Sequence, residues 1–584
     1  MHAHLRRELR NLLDLFTPVP LRDGEEYSRR DLLPDIIAGL TVAVVLIPQA
    51  MALALIAGLP AIYGLYAAFP GFIASFFGSS RHLSTGPVAI VSFLTLTSLV
   101  PFADPGSPEF IALAALLALL VGLIQLLMGT LRLGFVVNLI PHSAIVGFST
   151  AAAAIIIITQ IPTLFGYAIT QHDLVIQTIF EIIMGAPRTS LITLALGLSA
   201  LGMLIFLRKL PKTFPAALVV LAGSVLVAYL FDLKSFGVEF IAAVPASLPS
   251  FALPALSAGA FFALLPKAAI VALVGFVEAH AIAKSVAKQT GQRLDTNQEL
   301  VGQGLANTVS SFFHGYPVSG SFSRTAINMQ AGARTGVAAL VTSAVTVFAL
   351  LFLTPIFHFL PKAVLAAIVI VSALPLVNYH KLRETYAISN TDGVIAYTTA
   401  ALALILKPDD AIFIGIVLAL ILFLRRTVWG AKIVEMGVNR EWNILRASDG
   451  DDRVDTYPNV LIARIGMSLY YVNATHIIEQ LDRLVRERHE QSPVRAVVVD
   501  FSGVNFIDIT GIEALDDYVK RLRERGISFA TIYMRNSVVA ALRNVPELHR
   551  ITILHNIAEM KEYCMPHERR LVLGGTTPEI IGKK

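Results

Sequence analysis

From about residue 34 to 430, apolar runs close to membrane-span length follow one another, separated only by short clusters of Gly, Pro and charged residues. A helix that crosses a bilayer needs about 20 such residues. It must also satisfy its own backbone, because lipid offers no hydrogen bonds. A chain of this pattern folds as an α-helical polytopic membrane protein. Composition agrees: 15% of the 584 residues are charged and 55% are apolar, whereas soluble proteins carry roughly 25% charged residues. Disordered, collagenous and ordinary soluble-enzyme classes are excluded. The single cysteine, Cys564, rules out a disulfide framework and a Cys-rich metal site.

Runs of span character are 37–57, 61–77, 110–130, 137–165, 190–207, 214–231, 261–283, 299–313, 337–357, 363–377, 391–406 and 411–424. Two further runs, 88–100 and 322–331, are too short to cross alone; they follow Thr85-Gly86-Pro87 and Ser319-Gly320-Ser321. Counting them gives fourteen segments with both termini on one side. Threading from a cytoplasmic N-terminus puts most loop cations inside, among them Arg132, Arg208, Lys212, Lys284, Arg334, Arg425 and Arg426. Fewer, including Lys267, Lys362 and Lys407, fall outside, as the positive-inside rule expects. The short segments stand third and tenth, seven apart, the placement of a 7+7 inverted repeat. Interrupted helices at matching positions of two halves point to a transporter's binding site.

The expected domains are a cytoplasmic N-terminal segment 1–33, a transmembrane domain 34–430, a small soluble α/β domain 440–565 and a C-terminal tail 566–584. The Arg-rich start lacks the short apolar core and small-residue cleavage site of a signal peptide. In the soluble part, 459–465, 494–500 and 528–533 read as strands, and 474–488 and 511–525 as helices. The net charge of +5 fits positive-inside loops and not a nucleic-acid surface, which needs clustered basic residues.

The polar residues inside the spans carry the chemistry. Ser319, Ser321 and Ser323 are helix-cap residues ahead of a short apolar helix. The free N–H groups and positive dipole end of such a helix make an anion site. Thr85, Gly86, Pro87 and Val88 repeat that logic at the third segment. Arg324 adds a full positive charge, and an Arg within a span, costing at least about 2.5 kcal/mol, is expected to face a polar cavity. Glu278 is the one carboxylate inside a clear span; it either carries a coupling proton or pairs with Arg324. Gln49, beside Pro48, either donates to a bound anion or makes an interhelical contact. His142 and Gln160 read as helix contacts. The sequence shows no Walker motif, metal-ligand cluster or nucleophile elbow, so no enzyme activity and no cofactor is expected.

These residues resemble the sulfate permease (SulP) family. The resemblance rests on Pro48–Ala52 with Ala57–Tyr66, on Ser80–Pro87, Asn297–Gly304 and Pro317–Asn328, and on Ala331–Thr335. Val497–Gly511 is similar to the STAS domain that closes such transporters. The resemblance implies fourteen segments in core and gate domains, and secondary active transport of inorganic anions by alternating access. Sulfate with proton symport comes first; an uncoupled exchanger or a bicarbonate or dicarboxylate transporter of the same fold is the alternative. It implies that the anion is bound by Gln49, Leu53, Thr85, Gly86, Val88, Ser321, Phe322, Ser323 and Arg324, with Glu278 as the proton-coupling residue. Leu53 stands where many members carry Tyr or Phe, and Val88 where some have an aromatic ring. Thr510 falls at the family's regulatory hydroxyl, or caps the helix before Gly511. The resemblance also implies a homodimer in the cell membrane with cytoplasmic termini, and a cytoplasmic partner for the STAS domain.

Overall fold

The structure, a computed structural model, describes residues 28–569 except 140, 170–173, 212–213, 242–246, 255–256, 431–432, 442, 449–452, 544 and 546–547. Lys212 and most of the terminal segments 1–33 and 566–584 lie outside the described residues. The chain forms two compact units, Met1–Ala419 and Leu420–Lys584.

The first unit is helical. Its first half runs α1 (Arg29–Ile56), α2 (Ile62–Ala68), α3 (Phe72–Phe77), β1 (Thr85–Gly86), α4 (Ala89–Leu99), α5 (Pro108–Thr130), α6 (His142–Phe165), α7 (Val175–Gly185), α8 (Leu191–Leu207) and α9 (Ala216–Leu230). The second half runs α10 (Ala258–Thr290), α11 (Thr296–Phe312), β2 (Ser319–Gly320), α12 (Phe322–Gln330), α13 (Val337–Phe352), α14 (Lys362–Ala373), α15 (Asn390–Ile405) and α16 (Pro408–Trp429). Six described helices are alone long and apolar enough to cross a membrane, α1, α5, α6 and α10 among them.

Packing sorts the helices into two bundles. α1 to α5 and α10 to α13 pack on one another; α6, α8 and α9 pack with α14 and α15. Each half of the chain thus gives its first elements to one bundle and its later ones to the other, the arrangement expected of core and gate. The tightest pair is α5 with α11. A Cβ on Gly122 would lie 2.8 Å from the Gly304 carbonyl oxygen, and one on Gly304 would lie 2.9 Å from that of Gly122. Small residues let membrane helices approach backbone to backbone.

Three boundaries differ from the sequence reading. The run 137–165 does not form one helix: residues 133–139 make a 3₁₀ turn and α6 starts at His142, after Pro141. α7 was not expected; it is an 11-residue helix, and Val175–Arg188 meets α8 at a 119° bend. α10 extends through 33 residues to Gly291, whose φ of +72° ends it in the left-handed region.

The second unit holds β3 (Ile433–Asn439), β4 (Leu445–Ala447), β5 (Val454–Asp455), β6 (Val460–Ile465), α17 (Ala474–Gln491), β7 (Ala496–Asp500), α18 (Ile509–Glu524), β8 (Ser528–Ile532), β9 (Thr552–Leu554) and α19 (Ile557–Arg569). The sheet order is β4-β3-β6-β7-β8-β9, with β5 also on β3; β6 through β9 are parallel and β3 is antiparallel to β6. All of β7 is buried, as its unbroken apolar run requires of a central parallel strand. Ile477, Leu481, Leu515 and Leu522 cover one face of the sheet; Met560 and Cys564 belong to the core on the other.

Candidate functional site

β1 and β2 pair antiparallel, Thr85 with Gly320 and Gly86 with Ser319. The polar backbone of two unwound segments is thereby satisfied inside the bundle. The Ser321 N–H donates to the Ser84 carbonyl (2.9 Å), and the Ser84 N–H donates to Thr325 Oγ1 (3.0 Å). From this ribbon two helices start, α4 after Val88 and α12 after Ser321. No side chain caps α4. Ser321 caps α12 through the Arg324 N–H, and its Oγ lies 3.4 Å from that of Ser323. Of the three serines read as caps, only Ser321 is one. Ser319 instead donates to the Gly275 carbonyl at 2.6 Å, and Ser323 sits exposed in the first turn beside Phe322.

Arg324 is completely buried between these helix starts. Its Nη1 donates to Gln49 Oε1 at 3.1 Å. Nη2 would lie 3.3 Å from a Cβ on Gly86, so the guanidinium stands against β1. Nε and Nη2 have no hydrogen-bond partner. A buried guanidinium with two unused donors is costly without a counter-charge. Here it faces two helix N-termini that favour the same kind of ligand, an anion.

The structure brings Gln49, Gly86, Ser321 and Arg324 together, with Val88 as the α4 N-cap. Gln49 accepts from Arg324 through its oxygen, so it orients the guanidinium. Thr85 is buried and its hydroxyl accepts from Gln303 Nε2 at 2.8 Å. Leu53, one turn beyond Gln49, is 1% exposed and packed in the core. Glu278 lies on α10, whose next residue, Ala279, abuts Gly320. Its Oε2 is buried without a partner, and its charge interacts with that of Arg324. Among the described residues the two form no ion pair within 4.0 Å.

The sequence reading missed the polar residues that brace this site from α11. Glu299 Oε2 accepts from the N–H groups of Ser79 and Ser80, both 3.0 Å, and Asn307 bonds both backbone groups of Val318. Their signal was present as a four-residue polar spacing in 299–307. It also missed the 2.6 Å ion pair between Lys267 of α10 and Asp409 of α16. In the second unit, Thr510 is not the helix cap. Asp508 is: it accepts from the Gly511 N–H (2.8 Å) and the Tyr471 N–H (2.7 Å), because its carboxylate is the stronger acceptor one position before the helix. Thr510 is half-buried.

A bundle of membrane-length helices with two half-helices that start from one paired ribbon beside a buried charge has the build of a membrane transporter. The model of the sulfate permease family matches residues 32–399, and that of the STAS domain matches residues 453–560. The chain belongs to the sulfate permease family, whose members are transporters and not enzymes. It is similar to the probable sulfate transporter 4.2 of Arabidopsis thaliana, 33% identical over 87% of this chain and 77% of that one. It is also similar to the probable sulfate transporter Rv1739c of Mycobacterium tuberculosis, 32% identical over 90% and 93%. The fold matches that of the murine Solute Carrier 26 family member A9 anion transporter, with a TM-score of 0.86 and 22% identity over 94% of each chain. The transmembrane domain of a cyanobacterial bicarbonate transporter, BicA, matches with a TM-score of 0.58 and 26% identity over 67% of this chain and 98% of that one.

Proposed function

We propose that this protein moves small inorganic anions, sulfate first, across a cell membrane by alternating access and in symport with protons. The observation that carries the reading is Arg324, fully buried at the meeting point of α4 and α12 with two unused N–H donors. A tetrahedral oxyanion would accept from Nε, from Nη2 and from the free N–H groups at the start of α4. The charge-assisted bonds are the strong ones, and the helix ends supply further positive potential without a second full charge. Ser321, Ser323 and Phe322 would border the anion on the α12 side, and Gly86 leaves room beside the guanidinium. The names of the relatives support sulfate among the anions.

Glu278 is the proton carrier in this reading. Protonated, it no longer offsets the Arg324 charge, so proton and anion load together. The bundle containing both half-helices would move as a body against the other, carrying the site between the two faces. The protein would act as a homodimer in the plasma or inner membrane with its STAS domain in the cytoplasm, where that domain would meet its partner.

The test is uptake of labelled sulfate into proteoliposomes with and without an inward proton gradient. Gradient-stimulated uptake is expected, and Glu278→Gln should remove the stimulation while leaving sulfate binding. Bicarbonate or dicarboxylate flux without sulfate flux would overturn the substrate. Sulfate flux indifferent to both the gradient and Glu278 would overturn symport in favour of exchange.

A further inference from the structure

The two strands that open the half-helices do not touch only each other; both are held by one stripe of a single helix. Along α11, Glu299, Gln303 and Asn307 stand four residues apart, so they share a face about 6 Å apart in rise. Each is almost completely buried. Glu299 Oε2 accepts from the Ser79 and Ser80 N–H groups, in the turn that leads into β1. One turn on, Gln303 Nε2 donates to Thr85 Oγ1 within β1 (2.8 Å). A further turn on, Asn307 acts as a surrogate strand for the residue before β2. Its Oδ1 accepts from the Val318 N–H (2.8 Å) and its Nδ2 donates to the Val318 carbonyl (3.1 Å). Asn307 Nδ2 also reaches Gln125 Oε1 of α5 at 3.1 Å. The helix bearing this ladder is packed backbone to backbone on α5 at Gly122 and Gly304, so it cannot yield as a loop would.

We propose that Gln303 and Asn307 are specificity-determining positioning residues: together they fix the spacing between the two half-helix starts, and so the size of anion the site accepts. The inference rests on the reading that the anion lies between those starts. Neither residue need touch the anion. Gln303 holds the α4 side through Thr85, and Asn307 holds the α12 side through Val318. The rung spacing of one rigid helix sets the distance between them. The bond also orients Thr85. With a lone pair taken by Gln303, the Thr85 hydroxyl keeps its proton to donate elsewhere.

The test measures sulfate KM in proteoliposomes and the competition series sulfate, selenate and molybdate, tetrahedral dianions of increasing size, with chloride as the small anion. Gln303→Leu and Asn307→Asp should each raise the sulfate KM by about fivefold or more, the worth of one net hydrogen bond. Both should flatten the size ranking, with Vmax per folded transporter changing less than KM. Thr85→Val removes the other end of the Gln303 bond. The Thr85→Val, Gln303→Leu double variant should be no worse than Thr85→Val alone, since Gln303 acts through Thr85, and this pair of near-isosteric changes stands in if Asn307→Asp does not fold. Asp35→Asn is the structural comparison: it loosens the clamp on the Arg334 and Thr335 N–H groups (2.7 and 3.1 Å), so it should lower stability and keep the ranking. Wild-type KM and ranking in the Gln303 and Thr85 variants, with saturable flux in the parent, would overturn the inference. No saturable flux in the parent would overturn the anion reading beneath it.

Discussion

Replacing Arg324 by Met separates what the arginine does for the fold from what it does for the ligand. In the free protein the guanidinium is 0% exposed and leaves two nitrogens, Nε and Nη2, without a partner. Each unsatisfied buried polar group costs about 1–3 kcal/mol. Arg324→Met removes both and the buried charge. It frees Gln49 Oε1, on a partly buried residue, and takes from Glu278 the charge that offsets its own, a cost Glu278 escapes by staying protonated. The anion-free variant should therefore be at least as stable as the parent. With sulfate the sign reverses. Two charge-assisted bonds of at least about 1.5 kcal/mol each are lost, about 3 kcal/mol or roughly 100-fold in Kd. At a sulfate concentration of about 100 Kd the parent gains about 2.7 kcal/mol of stability. The variant, at about one Kd, gains only about 0.4 kcal/mol. The assay is thermal unfolding of purified protein across a sulfate titration, read beside a chloride titration for ionic strength. A variant that is less stable without sulfate and equally stabilised by it would refute the reasoning on both counts.

Three further outcomes follow from the packing. Gly71→Ala would place a Cβ 2.3 Å from the Thr85 carbonyl oxygen, so β1 must shift; overpacking of this kind costs about 1–3 kcal/mol, and sulfate KM should rise in transport assays. Asp409→Asn breaks the 2.6 Å pair with Lys267, in which the aspartate side chain is 3% exposed and the lysine 20%. Discounted for the lysine's exposure, the loss should be about 1–3 kcal/mol, read as a lower unfolding temperature and undone in part by also changing Lys267 to Met. Tyr518 is buried with an unpartnered hydroxyl, and burial holds it above its usual range. That hydroxyl favours the folded state least at alkaline pH: its contribution is constant below the unfolded tyrosine value and is lost as pH rises through the raised one. Tyr518→Phe should leave the STAS unit as stable or about 1 kcal/mol more stable at neutral pH, and less sensitive to alkali, measured by hydrogen exchange of 496–500.

The half-helices were legible because their breaks are written in residue types: Gly86-Pro87 and Ser319-Gly320-Ser321 cannot continue a helix cheaply, and Ser321 caps the helix that follows it. Arg324 and Gln49 were legible as polar residues out of place in apolar runs. Their mutual bond was not, since nothing local in sequence relates positions 49 and 324. The α11 ladder went unread for a different reason. Glu299, Gln303 and Asn307 stand in a run taken as a simple span, and a polar stripe only becomes informative once its facing elements are known. Lys267 was read as an outside loop cation, but folding pairs it with the buried carboxylate of Asp409. Thr510 was assigned on proximity to Gly511; the stronger cap, Asp508, sat two residues earlier. Helix α7 escaped because its 11 residues fall short of a span and its junction with α8 turns through 119°.

The most direct test of the central claim is to locate the anion itself. Selenate is a tetrahedral isostere of sulfate with an anomalous scatterer at its centre. Diffraction from selenate-bound crystals should place its peak between the starts of α4 and α12, with oxygens about 2.7–3.2 Å from Arg324 Nε and Nη2, and the peak should vanish in Arg324→Met. A selenium peak elsewhere in the membrane unit, unchanged in that variant, would contradict the account.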